Sequence, residues 1–237
     1  MLDLIIDPLS LTFMHRAFML GILLGVLCAS IGSYMIVQQL GMLAHPISHS
    51  VMAGLPIAYV VGVALSFGAL SAGGISGLML YLIESRSRVK TDAAMALILT
   101  SFVAIGVTLV SIIPGANRID LLYVLFGNIL GVTMKEVWWS FAVTVIGIVL
   151  VRLFYKELLF YTFDPKGAQA SGMPVHWYNA SLIVAMTVTI VVCLPTVGAL
   201  LVVALLVAPA VTAYLLVKEL HQMMWVGSII GALSSVI

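Results

Sequence analysis

From Ala17 to Ile83 the chain carries no Lys, Arg, Asp or Glu for 67 consecutive residues. A membrane-spanning helix needs about 20 apolar residues, so this run predicts three crossings. Its breaks are expected near Gln38–Ala44 and near Ser66–Gly74, where Gln, Gly and Ser accumulate. The rest of the sequence agrees with a bilayer as solvent: 63% of residues are hydrophobic and 8% are charged, against about 25% charged in a soluble domain. The fold class is therefore an all-α polytopic membrane protein, a single transmembrane domain over residues 1–237. A net charge of +1 excludes the basic tract of a nucleic-acid binder and the acidic tail of a disordered chain. Cys28 and Cys193 lie in apolar runs and read as packing residues. Asp3, Asp7, His15 and Arg16 at the start do not make the basic n-region of a cleavable signal peptide.

A fourth span is expected from Ala93 to about Ile113, closed by Pro114-Gly115, and a fifth from Val137 to about Tyr155. Between them Leu121–Met134 is apolar for only 14 residues, which suits a short re-entrant segment better than a crossing. Trp138 and Trp139 sit where interfacial aromatics belong. Gly167–Val217 is again free of charge for 51 residues, and Pro195 is expected to divide it into spans over Trp177–Leu194 and Val197–Val217. An eighth begins near Met223; Trp225–Ile237 is too short to cross in full at 1.5 Å per residue, so the sequence is expected to stop inside that helix. About eight transmembrane helices result. With the N-terminus outside, Arg86, Arg88, Lys90, Arg152, Lys156, Lys166 and Lys218 face the cytoplasm, and Arg16, Arg118 and Lys135 do not. Seven against three satisfies the positive-inside rule and favours the re-entrant reading, because a crossing at Leu121–Met134 would put four of the seven outside. Small residues at i,i+4, such as Gly21 with Gly25 and Gly227 with Gly231, allow close helix contact.

Inside this apolar chain, Leu43–Gly54 reads LAHPISHSVMAG. Pro46 suits the first turn of a helix, where its missing N–H is not needed. His45 and His49 then fall one turn apart on one face, where two imidazoles can meet one cation. Ionisable groups at membrane depth are costly, which turns the pair toward a functional site; the other reading is two helix-end polar groups that touch solvent or bond a backbone carbonyl.

A second stretch, FDPKGAQASGMP over Phe163–Pro174, predicts a short helix outside the membrane. Asp164 followed by Pro165 is an N-cap and first-turn signature, and Gly172 is a C-terminal stop. Such a helix is a rigid handle that a partner's groove can grip. There is no Gly-Lys dipeptide, so the chain holds no phosphate-cradling GxxxxGK[ST] loop. The pair reads H-P-I-S-H and lacks the Glu of a metalloprotease. His15, His176 and His221 are isolated in flanks and loops.

These stretches resemble the permease subunits of ABC importers for manganese, zinc or iron. Leu43–Gly54 is similar to the family's Gly-Asp-Ala-Ile-Ser-His motif; Asp120–Val132 to its Asp…Leu-Phe-Gly…Ile-Leu segment; Phe163–Gly172 to its Phe-Asp-Pro…Ala…Gly loop; and Val197–Ala213 to a late helix ending Pro-Ala-x-x-Ala. Two departures stand out. The family's Asp falls on His45, and the paired Arg that often precedes the motif is replaced by Gln38 and Gln39.

The resemblance implies a type II ABC importer-like permease in the bacterial plasma membrane, not itself an enzyme. It implies a second copy of the chain, cytoplasmic ATPase subunits that hold the ATP, and an extracellular or periplasmic metal-binding protein, all set in membrane lipid. The cargo is Mn2+ or Zn2+, with His45 and His49 as the metal ligands. Phe163, Asp164, Pro165, Ala168 and Gly172 become the coupling helix to the ATPase. Two imidazoles tilt toward zinc, and the overall resemblance toward manganese. The alternatives are a secondary transporter or channel for divalent cations, disfavoured by the lack of other titratable groups in the spans, and a membrane metalloenzyme, disfavoured by the missing general base.

Overall fold

The computed structural model describes residues 12–87, 89–114, 125–128 and 131–235, and among them every extended element is helical. In chain order these are α1 Thr12–Val37, the 3-10 turn η1 Gly41–Leu43, α2 Ala44–Val61, α3 Leu65–Arg86 and α4 Thr91–Ile112. Then follow α5 Met134–Leu153, α6 Tyr155–Phe163, α7 Pro165–Ala170, α8 Val175–Val197, α9 Ala199–Leu216 and α10 Leu220–Ser234. Six of them, α1, α3, α4, α5, α8 and α9, are long and apolar enough to cross a membrane, which makes this a multi-pass membrane protein. Two more lie outside that set. α2 spends four of its 18 residues on His45, His49, Pro46 and Pro56, and α10 has only 15 residues. Of the expected re-entrant stretch Leu121–Met134, residues 125–128 and 131–134 are among those described.

The helices form two groups. α1 packs on α5, α8, α9 and α10, and α2 packs on α3, α4, α8 and α9. α1 is apolar on every side after Arg16 and is largely buried, as such a helix must be. Among the described residues α8 and α9 touch both α1 and α2, so they join the groups. Glycines let the backbones meet: a Cβ on Gly25 of α1 would lie 2.4 Å from the Gly231 carbonyl oxygen of α10. α5 begins with a capping box in which Thr133 and Glu136 bond each other's backbone N–H, a T-x-x-E signature present in the sequence.

Two expected breaks fall elsewhere. The second lies at residues 62–64, where Gly62 takes φ 75, and Ser66–Gly74 belongs to α3. Its small polar residues are packing and back-bonding groups: Ser71 and Ser76 donate to carbonyls three residues earlier. The division near Pro195 moves to Gly198. Pro195 sits in the last turn of α8, and the chain turns at Gly198 with φ 81, a backbone region open to glycine. A proline near a helix end removes one hydrogen bond; a left-handed glycine redirects the chain.

Candidate functional site

η1 runs directly into α2, whose N-terminus carries no side-chain cap, and Pro46 lies in the first turn as expected. Most of α2 is buried up to Ala58. His45 is exposed and His49 half-buried on a stripe that begins at Met42. Their ring centroids are 4.7 Å apart at an interplanar angle of 75°, so the one-turn spacing does bring the imidazoles together. Ser48 and Ser50 point back to the backbone, donating to the His45 and Ile47 carbonyls at 2.8 and 2.7 Å.

What aims this stripe is packing on its far side. A Cβ on Gly54 would come within 2.0 Å of the Gly68 carbonyl oxygen, so the backbones of α2 and α3 touch there. One turn before Gly54, the buried Ser50 and Ser76 hydroxyl oxygens lie 2.7 Å apart between the same helices, so one of them donates to the other in place of its own backbone carbonyl. Pro56 has no N–H to offer the Met52 carbonyl four residues earlier. Gly106 of α4 packs against that carbonyl, where a Cβ would lie 2.8 Å from the oxygen. Sequence reasoning missed Gly68, Ser76 and Gly106. Each is a small residue in an apolar run, and nothing local names its partner.

Two neutral imidazoles offer two nitrogens to a cation. Among the described residues no group of three or more His, Cys, Asp or Glu gathers at one place. The pair is thus short of the closed four-ligand set of a structural zinc centre within the described residues. The other histidines are less isolated than the sequence implies. His176 Nδ1 bonds the Tyr81 hydroxyl, and His221 pairs with Glu219 at 3.3 Å.

The second candidate, α7, has the geometry expected of it. Asp164 accepts from the Gly167 N–H at 2.8 Å, Pro165 opens the helix, and Gly172 takes φ 82 beyond its end. Ala168 is fully buried, whereas Phe163 is 61% exposed beside it. α7 rests on α6 and on α8. The first turn of α8 is tied to its surroundings by the His176–Tyr81 bond to α3 and by Tyr178 stacked on Tyr161 of α6, centroids 6.2 Å apart. The same helix packs against α2, so α8 touches both the capped helix and the helix that carries the imidazole pair.

Residues 10–237 match the ABC 3 transport family. The chain is 35% identical over 228 residues to the manganese transport system membrane protein MntC of Halalkalibacterium halodurans, covering 96% of this chain and 78% of that one. It is 34% identical over 225 residues to the manganese import system permease protein ScaB of Streptococcus gordonii, covering 95% and 80%. Among solved structures, PsaBC from Streptococcus pneumoniae in complex with Fab superposes with a TM-score of 0.87 at 31% identity, over 99% of this chain and 84% of that chain. With a family match over nearly its whole length and a shared fold, the chain belongs to the ABC 3 transport family.

Proposed function

We propose that this chain is the permease subunit of an ATP-driven importer that carries a divalent transition metal, manganese first, into the cytoplasm. The observation that carries the reading is the His45–His49 pair on the open stripe of an otherwise buried helix, in a chain whose relatives are named for manganese import. Two copies would pair so that their imidazole pairs face one another, tightening the site in one state of the cycle and releasing the ion when they separate. ATP hydrolysis in two cytoplasmic partners would move α7, α8 would pass that movement to both helix groups, and an external binding protein would deliver the ion. Zinc is the competing cargo, since imidazole suits it better than it suits manganese.

The topology we propose has eight spans, with α2 and α10 added to the six, the N-terminus outside, and residues 121–134 returning to the side they leave. Antiparallel registers support it: Gly21 and Gly25 face Ser235 and Gly231, and Gly73 and Gly77 face Thr187 and Ile183. The functional test is manganese uptake by the permease–ATPase complex in liposomes. The His45→Ala/His49→Ala variant is expected to assemble and hydrolyse ATP while losing uptake. Normal uptake by that variant would move the metal path away from α2.

A further inference from the structure

We infer that the groove between α1, α5 and α10 is a binding site for one phospholipid with a primary-amine headgroup, of the phosphatidylethanolamine class. The groove holds about 790 Å³, within the range of small-ligand sites. Its two ends differ in chemistry. At the end near α6, Arg152 closes α5, Lys156 and Glu157 lie in the first turn of α6, and His221 begins α10. Further along, Val26, Ile148, Ile229 and Ala232 make an apolar wall. Ser30 and Ser228 on that wall bond each other at 3.3 Å, so the apolar part presents no free donor there.

A headgroup at one end and an acyl chain along the other is the profile of a lipid seated against a membrane protein, and basic pockets between spans hold lipid phosphates. The charges narrow the class. Among the described residues neither Arg152 nor Lys156 pairs with a carboxylate, while His221 Nδ1 lies 3.3 Å from a Glu219 carboxylate oxygen. Two free cations suit a phosphodiester. One Glu157 carboxylate oxygen is buried with no hydrogen-bond partner, which is costly for an acceptor of that strength. A primary ammonium beside the phosphate supplies N–H donors to it; a quaternary ammonium has none. Tyr155 and Trp225 line the same groove as amphipathic anchors at headgroup level.

The test is native mass spectrometry of the whole permease–ATPase complex after delipidation, titrated with dioleoyl phosphatidylethanolamine, phosphatidylglycerol or phosphatidylcholine. One phosphatidylethanolamine per permease chain is expected, held about tenfold more tightly than phosphatidylcholine. Glu157→Gln is expected to abolish that preference, and Arg152→Gln with Lys156→Gln to remove retention of all three lipids. The titration on the unaltered complex stands without any variant. Equal retention of the ethanolamine and choline lipids overturns the inference, as does preference for phosphatidylglycerol or no retention at all. A photoreactive group at Trp225 that captures polypeptide instead of lipid overturns it too, assigning the groove to a protein segment.

Discussion

Gly127 and Gly198 lie back to back, and neither has room for a methyl group. A Cβ on Gly127 would sit 2.4 Å from the Gly198 nitrogen, and one on Gly198 would sit 2.6 Å from the Gly127 nitrogen. Both take positive φ, 69° and 81°. The Asn128 N–H donates to the Pro195 carbonyl beside them at 3.3 Å. Residues 125–128 are thereby seated on the corner between α8 and α9, the two helices that join the halves of the bundle.

Gly127→Ala and Gly198→Ala are each expected to destabilise the protein by about 2–3 kcal/mol, from left-handed strain plus the clash. Because both remove the same contact, the double variant is expected to lose less than the sum. Apparent melting temperatures in detergent measure this. An unchanged value in either single variant contradicts the contact.

The α2–α3 contact makes a second prediction. Gly54→Val pushes α2 off Gly68 and re-aims the imidazole pair, since protein backbones in contact leave no space to absorb added methyl groups. Metal uptake should fall by about tenfold or more with both histidines intact. Uptake at the normal rate, with the protein present at its normal level, would show that the pair tolerates a shifted helix.

At the capped helix, Gly167 has no space for a side chain because the Asp164 carboxylate occupies it: a Cβ there would lie 2.2 Å from Oδ2. Asp164→Ala and Gly167→Ala should therefore act alike, each removing a cap worth about 0.5–2 kcal/mol. Both are expected to lower the stimulation of ATPase activity by the metal-loaded binding protein while leaving the complex assembled. Full stimulation in both variants would remove the coupling role from α7.

Topology is checked by labelling. In a background of Cys28→Ala and Cys193→Ala, a Ser87→Cys variant should resist membrane-impermeant maleimide in intact cells, and a Lys135→Cys variant should react. Ser87 and Lys135 are both exposed, so burial does not confuse the result. The opposite pattern inverts the proposed orientation.

Metal choice gives the last prediction. His45→Asp replaces one imidazole with a carboxylate, a harder ligand. Import should persist, and zinc should compete with manganese less well than in the unaltered protein. Unchanged competition would mean that His45 does not touch the ion.

Local physics explains what was legible in advance. Charge-free runs report spans because the bilayer penalises charge wherever it falls, and Asp164-Pro165…Gly172 reports a capped helix because capping acts over a few residues. The His45–His49 pair is equally local, set by one turn of helix. Pro195 misled for the same reason: it carries the strongest helix-breaking signal in its run, yet the turn falls at Gly198. There residues 125–128 press against the corner and leave room for glycine alone. Gly54 against Gly68, Ser50 against Ser76 and Gly127 against Gly198 are choices between many similar small residues. In a lipid-filled surround hydrophobicity does not select among them, and close packing of whole helices does. The long apolar runs, the His45–His49 spacing and the capped helix at Asp164 were therefore legible from the chain alone. How α8 packs on both the capped helix and α2 was not, because that depends on contacts between residues far apart in the chain.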